Sequence, residues 1–124
     1  MSPTVREATA ADLPAVLGVL DAAALETDHE RVREATDRGG VLVAVAESGG
    51  PVVGALVLVE CEVVNVAVRP RRRDQGVGSA LVAAAATRCD RLVAEFDGDV
   101  RPFYESLGFA VEPLADDRYR GTLG

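Results

Sequence analysis

Three valine-rich runs in the middle of the chain constrain its fold more than any other feature. Val41 to Ala46, Val52 to Val59 and Val63 to Val68 are continuous apolar stretches rich in β-branched residues. Their short length and β-branching favour strand over helix. Glu47-Ser48-Gly49-Gly50-Pro51 between the first two is a turn cluster. Only Glu60-Cys61-Glu62 lies between the last two. A connection that short predicts a tight antiparallel hairpin.

Helical patterns flank this β centre. Val5-Arg6-Glu7-Ala8 reads as a short edge strand. Asp12 is then placed to cap a helix with Pro14 in its first turn. Leu13, Val16, Leu17 and Leu20 make one apolar face at helical spacing. A more polar helix is expected over Asp28 to Asp37, ended by Gly39-Gly40. After the hairpin, Leu81, Val82, Ala85 and Cys89 define another helical face, with Arg88 and Arg91 at its negative end. Leu92 to Phe96 reads as a strand and Asp99 to Leu107 as a short helix, with Gly108 in the left-handed cap position. Phe109 to Glu112 and Arg118 to Leu123 read as closing strands. The expected order is β-α-α-β-β-β-α-β-α-β-β. This is an α/β (α+β) domain of six or seven strands on a mostly antiparallel sheet, with about four helices. Residues 1–124 are expected to form one domain, since 13.0 kDa suits a single core.

Charge narrows the function. Twenty Asp and Glu face thirteen basic residues, for a formal net charge of −7. All of the basic residues are Arg; there is no Lys. Such a surface argues against general nucleic-acid or anionic-membrane binding. It has three readings: adaptation to high salt, an Arg-biased genome, or steering of cationic substrates such as amines. No stretch approaches eighteen consecutive apolar residues, and Met1 to Ala11 holds no apolar core for a signal peptide. Cytoplasm is therefore the expected location. Cys61 and Cys89 are far apart in sequence and His29 is the lone His. Two reduced, buried thiols are expected, and no metal.

The stretch that carries chemistry runs strand, basic glycine-rich turn, helix. Val63–Val68 ends at Arg69-Pro70, and Arg71-Arg72-Arg73-Asp74-Gln75-Gly76-Val77-Gly78 leads into the next helix. Helix starts expose unpaired N–H groups and the positive end of the dipole. Glycine lets a phosphate approach the backbone, because no Cβ stands in the way. Together these describe a phosphate or pyrophosphate cradle. A nucleotide-binding Gly-Lys-Ser/Thr loop is excluded by the absence of Lys. The dinucleotide Gly-x-Gly-x-x-Gly pattern fails at Leu81.

These residues resemble a known family. Asn65-Val66-Ala67-Val68-Arg69-Pro70 followed by Arg73-x-x-Gly76-x-Gly78 looks like the acetyl-CoA-binding motif of the GNAT N-acetyltransferases, Gln/Arg-x-x-Gly-x-Gly/Ala. Downstream, Phe103-Tyr104-Glu105-Ser106-Leu107-Gly108-Phe109 matches the family's Phe-Tyr-x-x-Leu-Gly-Phe segment. The resemblance covers roughly Val41 to Val111. It implies the GNAT fold, a twisted mixed sheet with helices on both faces.

It also implies roles. The backbone of Arg73, Asp74, Gln75, Gly76, Val77, Gly78 and Ser79 would hold the CoA pyrophosphate, with the Arg73 side chain near the phosphates. The backbone of Val66, Ala67 and Val68 would pair with the amide-bearing pantetheine arm as with an extra strand. The strand at Leu92–Phe96 would splay away to admit that arm. Tyr104 would protonate the leaving thiolate. Glu62 sits where several members carry a base. Asp97 stands where the family often has an Asn that touches CoA. Arg71 and Arg72 are either solvated or bind the adenosine 3′-phosphate.

The expected reaction is acetyl transfer from acetyl-CoA to a primary amine: a protein N-terminus, a lysine or a small molecule. An amine of pKa about 8 to 10 must lose a proton before it attacks. Holding two reactants side by side is the main benefit. The alternatives are a GNAT-fold acyl-CoA-binding or regulatory module with little or no catalysis, and a phosphate-binding α/β domain of another type. Acetyl-CoA and an amine are the expected partners, and a homodimer is left open.

Overall fold

The computed structural model describes residues 3–23, 28–46 and 49–124. The elements are β1 (Thr4–Glu7), α1 (Leu13–Ala22), α2 (His29–Asp37), β2 (Val41–Val45), β3 (Val52–Val59) and β4 (Glu62–Val68). They continue as α3 (Val77–Ala86), β5 (Leu92–Asp97), α4 (Arg101–Ser106), β6 (Ala110–Ala115) and β7 (Arg118–Leu123). This is the expected order. The first half of the turn cluster, Glu47-Ser48, lies outside the described residues.

One seven-stranded sheet runs β1-β2-β3-β4-β5-β7-β6. All of its pairings are antiparallel except β4 with β5. The valine runs are continuous because both faces of the central strands are covered. Leu42, Ala44, Leu56 and Leu58 pack in one core with Leu81, Val82 and Ala85 of α3. Their neighbours in sequence, Val41, Val43, Ala55 and Val57, pack on the opposite face with Val16, Val19 and Leu20 of α1 and Val32 of α2. Alternation along each strand thus feeds two helical layers. Helix α3 lies close because β3 offers Gly54 beneath it. A Cβ there would stand 2.8 Å from a Val77 methyl.

Two irregularities shape the site. The β3–β4 register slips between Val57 and Leu58, so that Val63 and Asn65 oppose consecutive β3 residues and Val64 is extra. Such a bulge bends a strand. In addition, β4 and β5 pair only at Glu62–Val93 and Val63–Ala94. Beyond that point β5 continues with β7, from Glu95–Arg120 to Asp97–Arg118, while β4 stays with β3. The expected splay is present, and it leaves Val66–Val68 with one ladder edge open.

Two sequence expectations are corrected. Cys61 and Cys89 are not separate thiols but form a disulfide, with Cα atoms 5.9 Å apart. The β3–β4 turn takes positive φ at Glu60 (50°) and Cys61 (67°), and this lays Cys61 beside the chain leaving α3. A separation of 28 residues hides that contact in the sequence. Asp12 precedes α1, but its side chain turns back rather than capping that helix. It accepts from the Thr9 backbone N–H (2.8 Å) and pairs with Arg6 (2.7 Å). Both contacts hold its carboxyl far below the usual carboxylate range.

Candidate active site

The open edge of β4 borders a groove of about 790 Å³. Val66, Ala67, Val68, Arg73, Asp74, Gly76, Val77, Gly78 and Ser79 all line it, as does Arg72. Of the expected cofactor residues only Gln75 does not; its side-chain amide donates to the Arg71 carbonyl (3.2 Å) and braces the loop. The loop turns through left-handed backbone at Asp74 (φ 63°) and Gly76 (φ 82°). That conformation strains a residue with a Cβ far more than it strains Gly.

Gly76 precedes α3 and has no side chain to cap it. The first turn-closing bond is Ala80 N–H to the Gly76 carbonyl, at 3.0 Å. The N–H groups of Val77, Gly78 and Ser79 therefore begin the helix without intrahelical partners. Above Gly76 nothing stands within 4 Å of where a Cβ would be, whereas a Cβ on Gly78 would lie 3.3 Å from the Phe103 ring. Uncapped N–H groups, two glycines and the Arg72 and Arg73 guanidiniums fit a pyrophosphate-bearing group. Arg69 acts elsewhere: its Nε donates to the Val52 carbonyl (3.0 Å) and fixes the end of β4. Arg71 and Arg72 also line an adjoining, mainly apolar cleft of about 420 Å³ with Pro51, Val52 and Pro70.

A second cavity, of about 370 Å³, opens where β4 and β5 part. Its lining includes Val64, Asn65, Glu95, Asp97, Tyr104 and Arg118. Val66, Asp99, Val100 and Phe103 border both spaces, so groove and cavity share a wall. Tyr104, on α4, lines the second cavity alone, next to Phe103 of that wall. Its ring stacks on Phe96 (centroids 4.3 Å apart) and meets Phe103 and Phe109 edge-on. The residue is only 4% exposed. Among the described residues no side chain or backbone group hydrogen-bonds its hydroxyl, and burial pushes that hydroxyl up to about 12. It therefore stays protonated at any ordinary pH.

Glu62 is not brought to this place. It is exposed, at the end where β4 and β5 still pair, and lines neither space. Three residues of strand, roughly 10 Å, separate it from Asn65. Sequence reasoning gave no role to Asn65, Glu95, Asp99 or Arg118, which the splay assembles. The alternation of exposed Glu95 and Asp97 with buried Ala94 and Phe96 was the available signal. Asp97, in the place of the family's Asn, is paired with Arg118 at 2.8 Å, so its charge is offset. Among the described residues no group of three or more His, Cys, Asp or Glu side chains is gathered to hold a metal ion. No described helix is long and apolar enough to cross a membrane.

A parallel strand pair that splays beside a glycine-rich helix start, with a buried tyrosine in the gap, is the architecture of an acetyltransferase fold. The sequence matches the acetyltransferase (GNAT) domain over residues 37–111, and the chain belongs to the GNAT family. Solved structures agree on the fold. A GNAT-family acetyltransferase from Bacillus cereus superposes with a TM-score of 0.81 at 13% identity, covering 98% of this chain and 95% of that one. A Mycobacterium tuberculosis protein solved in complex with CoA gives 0.79 at 22% identity, with 98% of each chain covered. The PaiA N-acetyltransferase of Thermoplasma acidophilum, in complex with coenzyme A, gives 0.79 at 15% identity and the same coverage. No curated protein matches the sequence. Family membership supports acetyl-CoA-dependent acyl transfer as the general activity.

Proposed function

We propose that this chain transfers an acetyl group from acetyl-CoA directly to a primary amine, with Tyr104 as the acid. One observation carries the reading: the Tyr104 hydroxyl, on a buried ring and with no partner among the described residues, opens into the cavity that shares a wall with the phosphate-binding groove. The N–H groups of Val77, Gly78 and Ser79, with Arg73, hold the pyrophosphate. The free edge of Val66–Val68 pairs with the amides of the pantetheine arm and carries the thioester to the splay. The amine enters from the Glu95–Asp97 side and attacks the carbonyl. Tyr104 gives its proton to the departing sulfur. Burial keeps the hydroxyl protonated and able to donate to the departing sulfur. Because a thiolate of pKa about 8.5 is a weaker base than the phenolate, the proton moves to sulfur only as the phenol takes up the one that the attacking nitrogen releases.

Glu62 lies outside the cavity and acts as a base only through intervening water; Glu95 and Asp99 are the carboxylates nearer the amine's path. That displacement of the expected base is the one observation favouring the alternative, a cofactor-binding module with little catalysis. An acceptor screen decides between them. Thiol release from acetyl-CoA that depends on an added primary amine supports the enzyme. Tight acetyl-CoA binding with no thiol release across primary amines supports the module. The cytoplasmic location expected from the sequence rested on the lack of a membrane-spanning stretch and of a signal-peptide core; the Cys61–Cys89 disulfide is the one observation that speaks against a reducing compartment.

A further inference from the structure

The cavity beyond Tyr104 has a chemical character of its own, and it bears on the acceptor. Its lining presents three carboxylates, Glu95, Asp97 and Asp99, against one guanidinium, Arg118. Arg118 is committed to Asp97 at 2.8 Å. Among the described residues neither Glu95 nor Asp99 forms an ion pair. Arg120 lies opposite Glu95 on β7, but Glu112 of β6 lies opposite the same Arg120, so that neighbour brings no surplus of positive charge. Glu95 and Asp99 are both exposed to solvent, and Arg118 also feels the charge of Glu95. Tyr104, buried to 4% exposure, offers the same cavity a hydroxyl with no partner among the described residues. No side-chain N or O among the described residues is both fully buried and without a partner, so the hydroxyl oxygen is reached from the cavity, and a ligand or water there supplies its partner. The cavity thus brings the Tyr104 hydroxyl and the carboxylates of Glu95 and Asp99 to one space.

We propose that the acceptor is a small linear amine bearing a second positive charge, a diamine or polyamine, with that charge held by Glu95 and Asp99. This rests on the reading of the chain as an amine acetyltransferase. A cavity of about 370 Å³ is at the small end of ligand sites and suits a slender chain. An amine that carries a carboxylate, such as an amino acid, is repelled by the same two side chains. The reacting ammonium first loses one proton to solvent. Its nitrogen then forms the C–N bond while the C–S bond breaks. Tyr104 delivers its proton to the sulfur and regains the one that the nitrogen gives up. The products are the monoacetylated amine and free CoA thiol.

The test compares kcat/KM at saturating acetyl-CoA for 1,4-diaminobutane, n-butylamine, β-alanine and a lysine-containing tripeptide. The expected order puts 1,4-diaminobutane about three- to tenfold above n-butylamine, with β-alanine last. Glu95→Gln, checked for folding by its thermal melt, should bring the diamine-to-monoamine ratio toward one. Glu95→Arg should move preference toward β-alanine. Salt gives an arm that needs no variant: the ratio should shrink between 0.1 M and 1 M KCl, as screening shortens from about 10 Å to about 3 Å. A tripeptide that outruns the diamine keeps the second charge and moves its source to a peptide, which overturns the small-molecule assignment. A diamine no better than butylamine, or a preference untouched by Glu95→Gln, overturns the inference outright. Failure of the broader reading looks different: no thiol release with any amine, n-butylamine included. Calorimetry of 1,4-diaminobutane into the CoA-loaded protein then still decides. Binding weakened by Glu95→Gln supports the cationic site, and no binding overturns it.

Discussion

The cofactor groove and the acceptor cavity share a wall, yet they are built in different ways. The groove is made mostly from backbone: the free edge of Val66–Val68 and the first N–H groups of α3, on one unbroken stretch of chain. The cavity is made from side chains that four elements contribute, β4, β5, α4 and β7, together with the turn at Asp99 and Val100. A backbone site tolerates change in most side chains but not in glycine or φ. A side-chain site can be re-tuned one residue at a time. The groove sets Arg72 and Arg73 against Asp74 and Asp99, whereas the cavity sets three carboxylates against one guanidinium, so the cofactor's phosphates rely on the helix N–H groups and the two arginines while a cationic acceptor is drawn to the cavity as a whole.

The largest expected effect falls on Tyr104, in the cavity beside the shared wall. Tyr104→Phe should lower kcat about 10²–10⁴-fold, as loss of a general acid does. Calorimetry should find acetyl-CoA affinity nearly unchanged, because the groove's backbone is untouched. The hydroxyl's position near 12 also sets a pH expectation. A raised pKa keeps the acid form past the ordinary tyrosine value, so kcat should not fall on the basic side up to about pH 10. Equal loss of binding and turnover in Tyr104→Phe would merge the two regions into one.

The next effect concerns the far end of α3. The Cys61–Cys89 disulfide ties the β3–β4 turn to the chain just after the helix whose start forms the cradle. It lines a cleft of about 390 Å³, open to a reductant. Closing a loop of 28 residues is worth about 3.6 kcal/mol in the chain-entropy account. Reduction should therefore lower the melting temperature by several degrees. It should weaken acetyl-CoA binding more than it alters the diamine-to-monoamine ratio, which depends on β5. A melt indifferent to reductant would show that the bridge contributes nothing to holding α3.

Gly78→Val acts more locally. A Cβ at Gly78 would already stand 3.3 Å from the Phe103 ring, so valine's methyls must push that ring or fill the groove. Overpacking of this kind costs roughly 1–3 kcal/mol, which amounts to about a tenfold or greater rise in the acetyl-CoA Kd. Unchanged affinity in a folded variant would mean that the pyrophosphate is not held at this helix start.

The same contrast explains what is readable from sequence. The groove is legible because its requirements are local: Gly76 must reach φ 82° and Gly78 must lack a Cβ, both within one short loop. The strands are legible because double-sided burial writes itself as unbroken valine runs. The cavity is not, since Glu95, Asp99 and Arg118 meet only after β5 leaves β4 for β7. Glu62, where several family members carry a base, lines neither space, because β4 and β5 part just past Val63 and that splay point cannot be read from the strand itself. The disulfide is hidden for the same reason: a two-residue turn with positive φ at both positions brings together cysteines that the sequence keeps far apart.

The smallest and most graded effect comes from salt, and it separates the two regions without a mutation. Twenty carboxylates face thirteen arginines, so the apo chain carries net repulsion. That repulsion reaches about 10 Å at 0.1 M salt and about 3 Å at 1 M. The apo melting temperature should therefore rise with KCl. At the cofactor groove the sign reverses, because screening weakens the attraction of Arg72 and Arg73 for phosphate. Bound acetyl-CoA stabilises the fold by mass action, so its increment in melting temperature should shrink over the same range. Melts from 0.05 M to 3 M KCl, with and without acetyl-CoA, read both trends together. An apo melt that stays flat or falls with salt would remove self-repulsion as a force in this molecule. The acidity would then act only where the structure concentrates it, at Glu95 and Asp99.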